Sequence, residues 1–126
     1  MNQRRRHTVD ESRPIFVQIA EGIENDILSG LLAEETQVPS TNEFAAYYRI
    51  NPATAGKGVN LLVDEGVLYK KRGIGMFVAE GSRARIAAKR RDQFASEFVR
   101  PLVAEATKLG ISRTELADLI RKEEES

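Results

Sequence analysis

Pro39-Ser-Thr-Asn-Glu-Phe-Ala-Ala-Tyr-Tyr-Arg-Ile-Asn-Pro-Ala-Thr-Ala-Gly-Lys-Gly-Val-Asn-Leu-Leu-Val-Asp-Glu-Gly-Val-Leu68, continued by Tyr69-Lys-Lys-Arg-Gly-Ile-Gly-Met-Phe-Val78, decides the fold. Ser40 and Glu43 have the Ser-x-x-Glu spacing of a capping box, in which two otherwise orphaned N–H groups at a helix start are satisfied reciprocally. Pro39 and Phe44 flank that box as a staple. The short helix that follows turns Phe44, Ala45 and Tyr48 to the core, and Arg49-Ile50 falls in a turn. Asn51-Pro52 is a second start, with Asn as N-cap and Pro in the first turn. From Pro52 to about Glu65 the spacing buries Ala55, Gly58, Val59 and Leu62 and leaves Ala53, Thr54, Gly56, Lys57 and Asn60 outside. Gly66 ends this helix. Residues Val67 to Lys70 read as a strand, Met76 to Val78 as its return, and Arg72-Gly73-Ile74-Gly75 as the turn between them. Two helix starts about a dozen residues apart, followed by a basic hairpin, predict a helix-turn-helix with a wing. Such a device places its second helix in the DNA major groove.

Outward from this stretch, Ile15, Ile19, Ile23 and Ile27 recur every fourth residue after Pro14, with Phe16, Ala20 and Leu28 widening the stripe. Glu21, Glu24 and Asp26 take the other faces, so this is an amphipathic scaffold helix, with Gly30 placed to cap its end. On the other side, Ser82 to Lys108 reads as one longer helix that Pro101 kinks or divides. Ser112 and Glu115 form a second capping box, and a final helix is expected to bury Leu116, Leu119 and Ile120. The expected fold is therefore mostly α with a small β-hairpin. An arm over residues 1–12, carrying Arg4-Arg5-Arg6-His7, precedes a winged helix-turn-helix domain at 13–80 and a helical dimerisation region at 81–126.

The chain has 126 residues, no cysteine and one histidine, which excludes disulfides and thiolate metal sites. No apolar run approaches the ~18–20 residues that span a bilayer, and the start lacks a signal peptide's apolar core. These features lead us to expect a cytoplasmic protein with no membrane partner. Formal net charge is zero, yet charge is segregated. The first third is acidic, whereas Arg49, Lys57, Lys70, Lys71 and Arg72 face only Asp64 and Glu65, and Arg83 to Arg91 holds no acid. A neutral protein can carry a positive face this way.

Pro14-Ile-Phe-Val-Gln-Ile, Ser29-Gly30, Val38-Pro39-Ser40, Asn51-Pro52-x-Thr54 and Arg72-Gly73-x-Gly75-x-Phe77-Val78 together resemble the winged-helix domain of GntR-family bacterial transcription regulators over about residues 13–79. The tail after residue 80 resembles that of the YtrA subfamily, whose short two-helix unit dimerises the protein. The resemblance implies a repressor, contacts to DNA from Ser40 and its neighbours, DNA-facing positions at Thr54 and Lys57, and a wing tip at Gly75. The chain departs from the family pattern at Asn42, where many members have an Arg, at Gly56, where a larger polar or basic residue is usual, and at Gly58, where Ala is usual.

The candidate DNA contacts are Ser40, Thr41 and Asn42 at the first helix start, Asn51, Ala53, Thr54, Gly56, Lys57 and Asn60 on the recognition helix, and Lys70, Lys71, Arg72, Gly73 and Gly75 on the wing. With Ala53, Gly56 and Gly58 where bulk is expected, the recognition face is sparse, so phosphate contacts, the wing and DNA shape should outweigh direct base bonds. Phe94, Phe98, Leu102, Leu109, Leu116, Leu119 and Ile120 form the candidate dimer seam. Two copies would read a pseudo-palindromic operator. The expected partners are double-stranded DNA and a second copy of the chain. There is room for an unidentified small-molecule effector, although no residue argues for one.

Enzyme chemistry finds no support in the sequence, and no cofactor or metal is expected. His7 has no partner for acid–base work. Gly56-Lys57-Gly58 lacks the flanking Gly and Ser or Thr of a phosphate-binding loop, and Gly73-Ile74-Gly75 lacks the third Gly of a dinucleotide site. The remaining alternative is a winged helix that binds protein instead of DNA, for which Lys57 and the wing cations would be dispensable.

Overall fold

Helix α1, Ile15–Ser29, forms where the isoleucine stripe predicts it, and Ile19, Ile23 and Ile27 are almost completely buried. These positions come from a computed structural model of the chain, which describes residues 12–125. The Arg4–Arg6 and His7 arm lies outside the described residues. Pro14 sits one place earlier than its sequence suggests, as the N-cap rather than the first helical residue, and its carbonyl accepts from the Gln18 N–H at 3.3 Å. Gly30 closes α1 in the left-handed conformation at φ 88°, a region that costs a residue without Cβ little.

Helix α2, Thr41–Tyr48, begins at the capping box: the Glu43 N–H donates to Ser40 Oγ at 3.1 Å and the Ser40 N–H donates to Glu43 Oε1 at 2.8 Å. Arg49 ends it with φ 57°. Helix α3, Pro52–Asp64, starts at Asn51, whose Oδ1 accepts from the Ala53 N–H at 2.7 Å, and it buries Ala55, Gly58, Val59 and Leu62. Strands β1, Leu68–Lys71, and β2, Gly75–Val78, pair antiparallel with Leu68 opposite Val78 and Lys71 opposite Gly75. The hairpin is one residue offset from the expected strand bounds, because Val67 still belongs to the chain reversal after α3, where its N–H donates to the Leu62 carbonyl.

A feature absent from the sequence reading borders this hairpin. Residues 35–38 run along the free edge of β2, with the Glu35 N–H donating to Val78 O, the Val78 N–H to Thr36 O, and the Val38 N–H to Met76 O. Gln37 thereby bridges Phe77. An edge that would otherwise leave ladder groups unpaired is covered.

One apolar cluster joins α1, α2, α3 and the hairpin through Ile19, Ile23, Ile27, Val38, Phe44, Ala55, Val59, Leu62, Leu68, Val78 and Ile86. Tyr48 is packed at its margin, and burial pushes its phenol up to about 12, with the Asp26 and Tyr47 charges acting in the same direction.

The chain divides into two compact units between Ala87 and Ala88. Helix α4, Ser82–Phe94, starts in the first unit, where Ser82 and Ile86 are buried and Ser82 Oγ donates to the Val67 carbonyl at 2.8 Å. Its N-terminus is capped from a distance: Glu34 accepts from the Gly81 N–H at 2.9 Å and from the Arg83 N–H at 3.0 Å. In the second unit the expected long helix is divided. A π-helical turn at Ala95–Val99 separates α4 from α5, Arg100–Lys108, with the Arg100 N–H donating to the Ala95 carbonyl. Pro101 follows in the first turn of α5, where its missing N–H is tolerated. Helix α6, Arg113–Glu125, starts at the Ser112–Glu115 capping box, with bonds of 3.0 and 3.1 Å. Leu116 is half-buried in it. Leu119 and Ile120 remain about half exposed in the single chain, so α6 does not bury this face by itself.

Candidate nucleic-acid interface

The outer face of α3 is set by what its inner face buries. Ala53, Lys57 and Asn60 are exposed, and Thr54 and Gly56 are half-buried beside them. This is the division that the 3.6-residue period predicts. Gly58 lies on the inner face against α1, as its spacing predicts, so it does not belong with Ala53 and Gly56 as a gap in the outer face. A Cβ there would stand 2.8 Å from the Phe16 carbonyl oxygen and 3.1 Å from Ile19 Cβ. Close helix packing accounts for Gly58. Gly56 is different, since a Cβ there would make only an ordinary 3.7 Å contact with Thr41 Cγ2. That contact also shows that the start of α2 and the outer flank of α3 adjoin.

At the start of α2 the N–H groups of Ser40 and Glu43 are already used by the capping box. The Thr41 and Asn42 N–H groups and the Ser40 hydroxyl proton are left to meet a phosphate. The Glu43 carboxylate at the same helix end opposes an anion, so this helix start attracts one less than a start without an acid would.

Lys57 lies beside Phe16, a residue of the α1 apolar stripe. Its Nζ lies 5.9 Å from the centre of the Phe16 ring on α1, near the outer limit of a cation–π contact. The hairpin separates its cations. Successive strand residues point to opposite faces, so Lys70 shares a face with Leu68 and Met76, whereas Lys71 lies with Tyr69 and Phe77. Tyr69 and Phe77 stack with ring centres 5.9 Å apart, and Lys71 Nζ sits 4.4 Å over the Phe77 ring. The Tyr69 hydroxyl donates to Glu35 Oε2 at 3.2 Å. Desolvation first, then Glu35, raises its pKa. Arg72 and Gly73 are exposed in the turn, with Gly73 at φ 76°.

Of the second basic run, Arg85 is committed within the fold, donating to the carbonyls of Gly66 at 2.8 Å and Glu80 at 3.2 Å. In the second unit the candidate seam residues Phe94, Phe98, Leu102, Leu109, Leu119 and Ile120 are exposed, and the Phe94 and Phe98 rings lie 5.7 Å apart. Among the described residues no cluster of three or more metal-ligating side chains occurs, and no helix is long and apolar enough to cross a membrane.

Comparison with known proteins agrees with this geometry. The sequence model of the gntR family of bacterial regulatory proteins matches residues 16–78. A solved structure from Bacteroides thetaiotaomicron, described as a transcriptional regulator of the GntR family, is 37% identical and superposes with a TM-score of 0.68, covering 86% of this chain and 94% of that one. The HTH-type transcriptional repressor YtrA of Bacillus subtilis is 25% identical over 88% of this chain and 85% of its own length. The DNA-binding domain of AraR, solved in complex with an operator, is 29% identical with a TM-score of 0.52, covering 59% of this chain and 90% of that one.

Proposed function

Because this chain belongs to the GntR family of bacterial regulatory proteins, we propose that it represses transcription as a homodimer bound to a pseudo-palindromic operator. It is a DNA-binding transcriptional regulator with a winged-helix fold. The observation that carries the reading is the division of α3, with Ala55, Gly58, Val59 and Leu62 locked inward and Ala53, Lys57 and Asn60 turned outward. Residues 13–80 bind DNA in this reading, with α3 in the major groove and Lys57 and Asn60 at base edges or phosphates. Ser40, Thr41 and Asn42 meet the backbone, and Lys70, Lys71, Arg72, Gly73 and Gly75 bring the wing alongside.

Residues 81–126 form the dimer seam. Two observations support this: the row of exposed Phe94, Phe98, Leu102 and Leu109, and the match to YtrA across both the winged domain and the tail. We place the chain with the YtrA type on the same grounds. A monomer with so few outward polar side chains on α3 binds weakly, and a two-fold pair doubles its phosphate contacts.

Selection of duplexes from a random pool with the purified protein tests the reading. The expected result is an inverted-repeat consensus. No enrichment of any sequence would reject DNA reading in favour of a protein-binding winged helix, and an unrepeated consensus would reject the dimer.

A further inference from the structure

The apex of the wing carries a large apolar side chain within a few positions of the cations Lys70, Lys71 and Arg72. Ile74 is 61% exposed between Gly73 and Gly75. A lone exposed isoleucine is ordinary on a protein surface, but this one stands on an apex that is braced on both sides. The Ile74 N–H donates to the Lys71 carbonyl at 3.0 Å. The Ile74 carbonyl accepts from Gln37 Nε2 at 3.0 Å, across 37 positions of sequence. Gln37 is itself fixed by its bridge to Phe77, between the Thr36 and Val38 backbone bonds to β2. Gly75, at φ 147°, makes the brace possible, because a Cβ there would overlap the Gln37 amide nitrogen. The segment that holds Gln37 runs directly into Pro39 and the Ser40 cap of α2. The wing apex is thereby tied to the start of the helix-turn-helix.

Resting on the DNA-binding reading above, we infer that Ile74 is a specificity-determining minor-groove contact that favours A·T pairs, and that Gln37 is the positioning residue that holds it. The minor groove of A·T pairs shows acceptors only, whereas G·C adds the guanine N2 amino donor on the groove floor. An aliphatic side chain pressed into the groove cannot accept from that amino group, and it excludes the water that would. A buried donor without a partner is penalised, so G·C is rejected without any bond to A·T. Arg72 and the neighbouring lysines supply the phosphate attraction that brings the apex in, and Ile74 supplies the discrimination.

The test uses the full-length protein and duplexes recovered from the random pool. Hydroxyl-radical footprinting locates the sugars whose protection weakens in Ile74→Ala. A·T pairs at that position are then replaced by G·C or by inosine·C, which lacks the N2 amino group. The expected result is about a tenfold loss of affinity for G·C and near-unchanged affinity for inosine·C. In Ile74→Asn, whose carbonyl can accept from the amino group, the A·T over G·C preference should shrink to about threefold or less. Gln37→Ala should relax the preference as Ile74→Asn does, add nothing further in the double variant, and leave thermal unfolding nearly unchanged. Equal binding of G·C and inosine·C by the unaltered protein, or an unchanged preference in Ile74→Asn, overturns the role of Ile74. Additive effects of the two changes overturn the role of Gln37. A pool that yields no footprint at all rejects the DNA-binding reading instead.

Discussion

The Phe16 carbonyl oxygen and Gly58 are in direct backbone apposition, so close that a single methyl at position 58 would stand 2.8 Å from that oxygen. Helices α1 and α3 therefore meet through a glycine, which sets how closely α3 packs on α1. In Gly58→Ala, overpacking costs about 1–3 kcal/mol and helix propensity returns about 1 kcal/mol, so the fold should be destabilised by up to about 2 kcal/mol net. Gly56→Ala meets only an ordinary contact and should stabilise by about 0.5–1 kcal/mol. Thermal unfolding of the two variants should thus shift in opposite directions; equal shifts would refute the distinction. A loss of DNA affinity in Gly56→Ala would show that the α3 backbone approaches DNA closely at that position.

Lys57→Ala should weaken operator binding by about 1–3 kcal/mol. The triple change of Lys70, Lys71 and Arg72 to Ala should flatten the slope of log affinity against log salt by about one for each phosphate contact removed. Filter-binding titrations between low and physiological salt would read this, and an unaltered slope rejects the wing contacts. Lys71→Ala carries a second signature that Lys70→Ala lacks. It removes the cation from the Phe77 ring, at about 0.5–1 kcal/mol of stability.

The carboxylate that caps α4 gives the first unit an acid-sensitive joint. Bonds from the Gly81 and Arg83 N–H groups hold the Glu34 carboxyl below its usual 4.5, outweighing desolvation, which raises it, and the Arg85 and Arg83 charges assist. A lowered folded pKa means that the contribution is fully present above the unfolded value and is lost as pH falls through the folded one. The stability difference between the protein and Glu34→Gln should be constant above the usual 4.5 and shrink below it. Denaturant titrations at a series of pH values would measure it, and a difference that grows on acidification has the wrong sign.

Phe98→Arg should yield monomers whose winged domain still unfolds cooperatively, because Phe98 is exposed and contributes nothing to the buried cluster around α1 and α3. Light scattering would report the mass. A persistent dimer would place the seam elsewhere.

The features legible in the sequence are those whose causes are local. Ser40 with Glu43, Asn51 with Pro52, and Ser112 with Glu115 each satisfy backbone donors within a few residues, so their spacing alone announces a helix start. The inner face of α3 was legible for the same reason of period. What escaped is held across distance. Glu34 caps a helix 47 positions further on, Gln37 braces Ile74 from 37 positions away, and neither pattern has a local signature. Phe16 was readable as a core residue but not as the ring beside Lys57, since that needs the crossing of α1 over α3. Lys70 and Lys71, read together as wing cations, diverge once the strand pleat is imposed. Leu119 and Ile120 read as buried because periodicity identifies an apolar stripe without identifying what covers it.

The π-helical turn at Ala95–Val99 acts on phase as well as accommodating Pro101. In an uninterrupted α-helix, side chains four positions apart drift about 40° at every step, so a row built on that spacing winds gradually off one side. A wider turn lags by taking up an additional residue, and the lag opposes the drift. Placed between Phe94 and Leu102, it brings Phe94, Phe98 and Leu102 nearer to a single straight line along the helix axis. A straight line of large apolar side chains can be matched by its own image under a two-fold rotation, whereas a winding one loses registry after a turn or two.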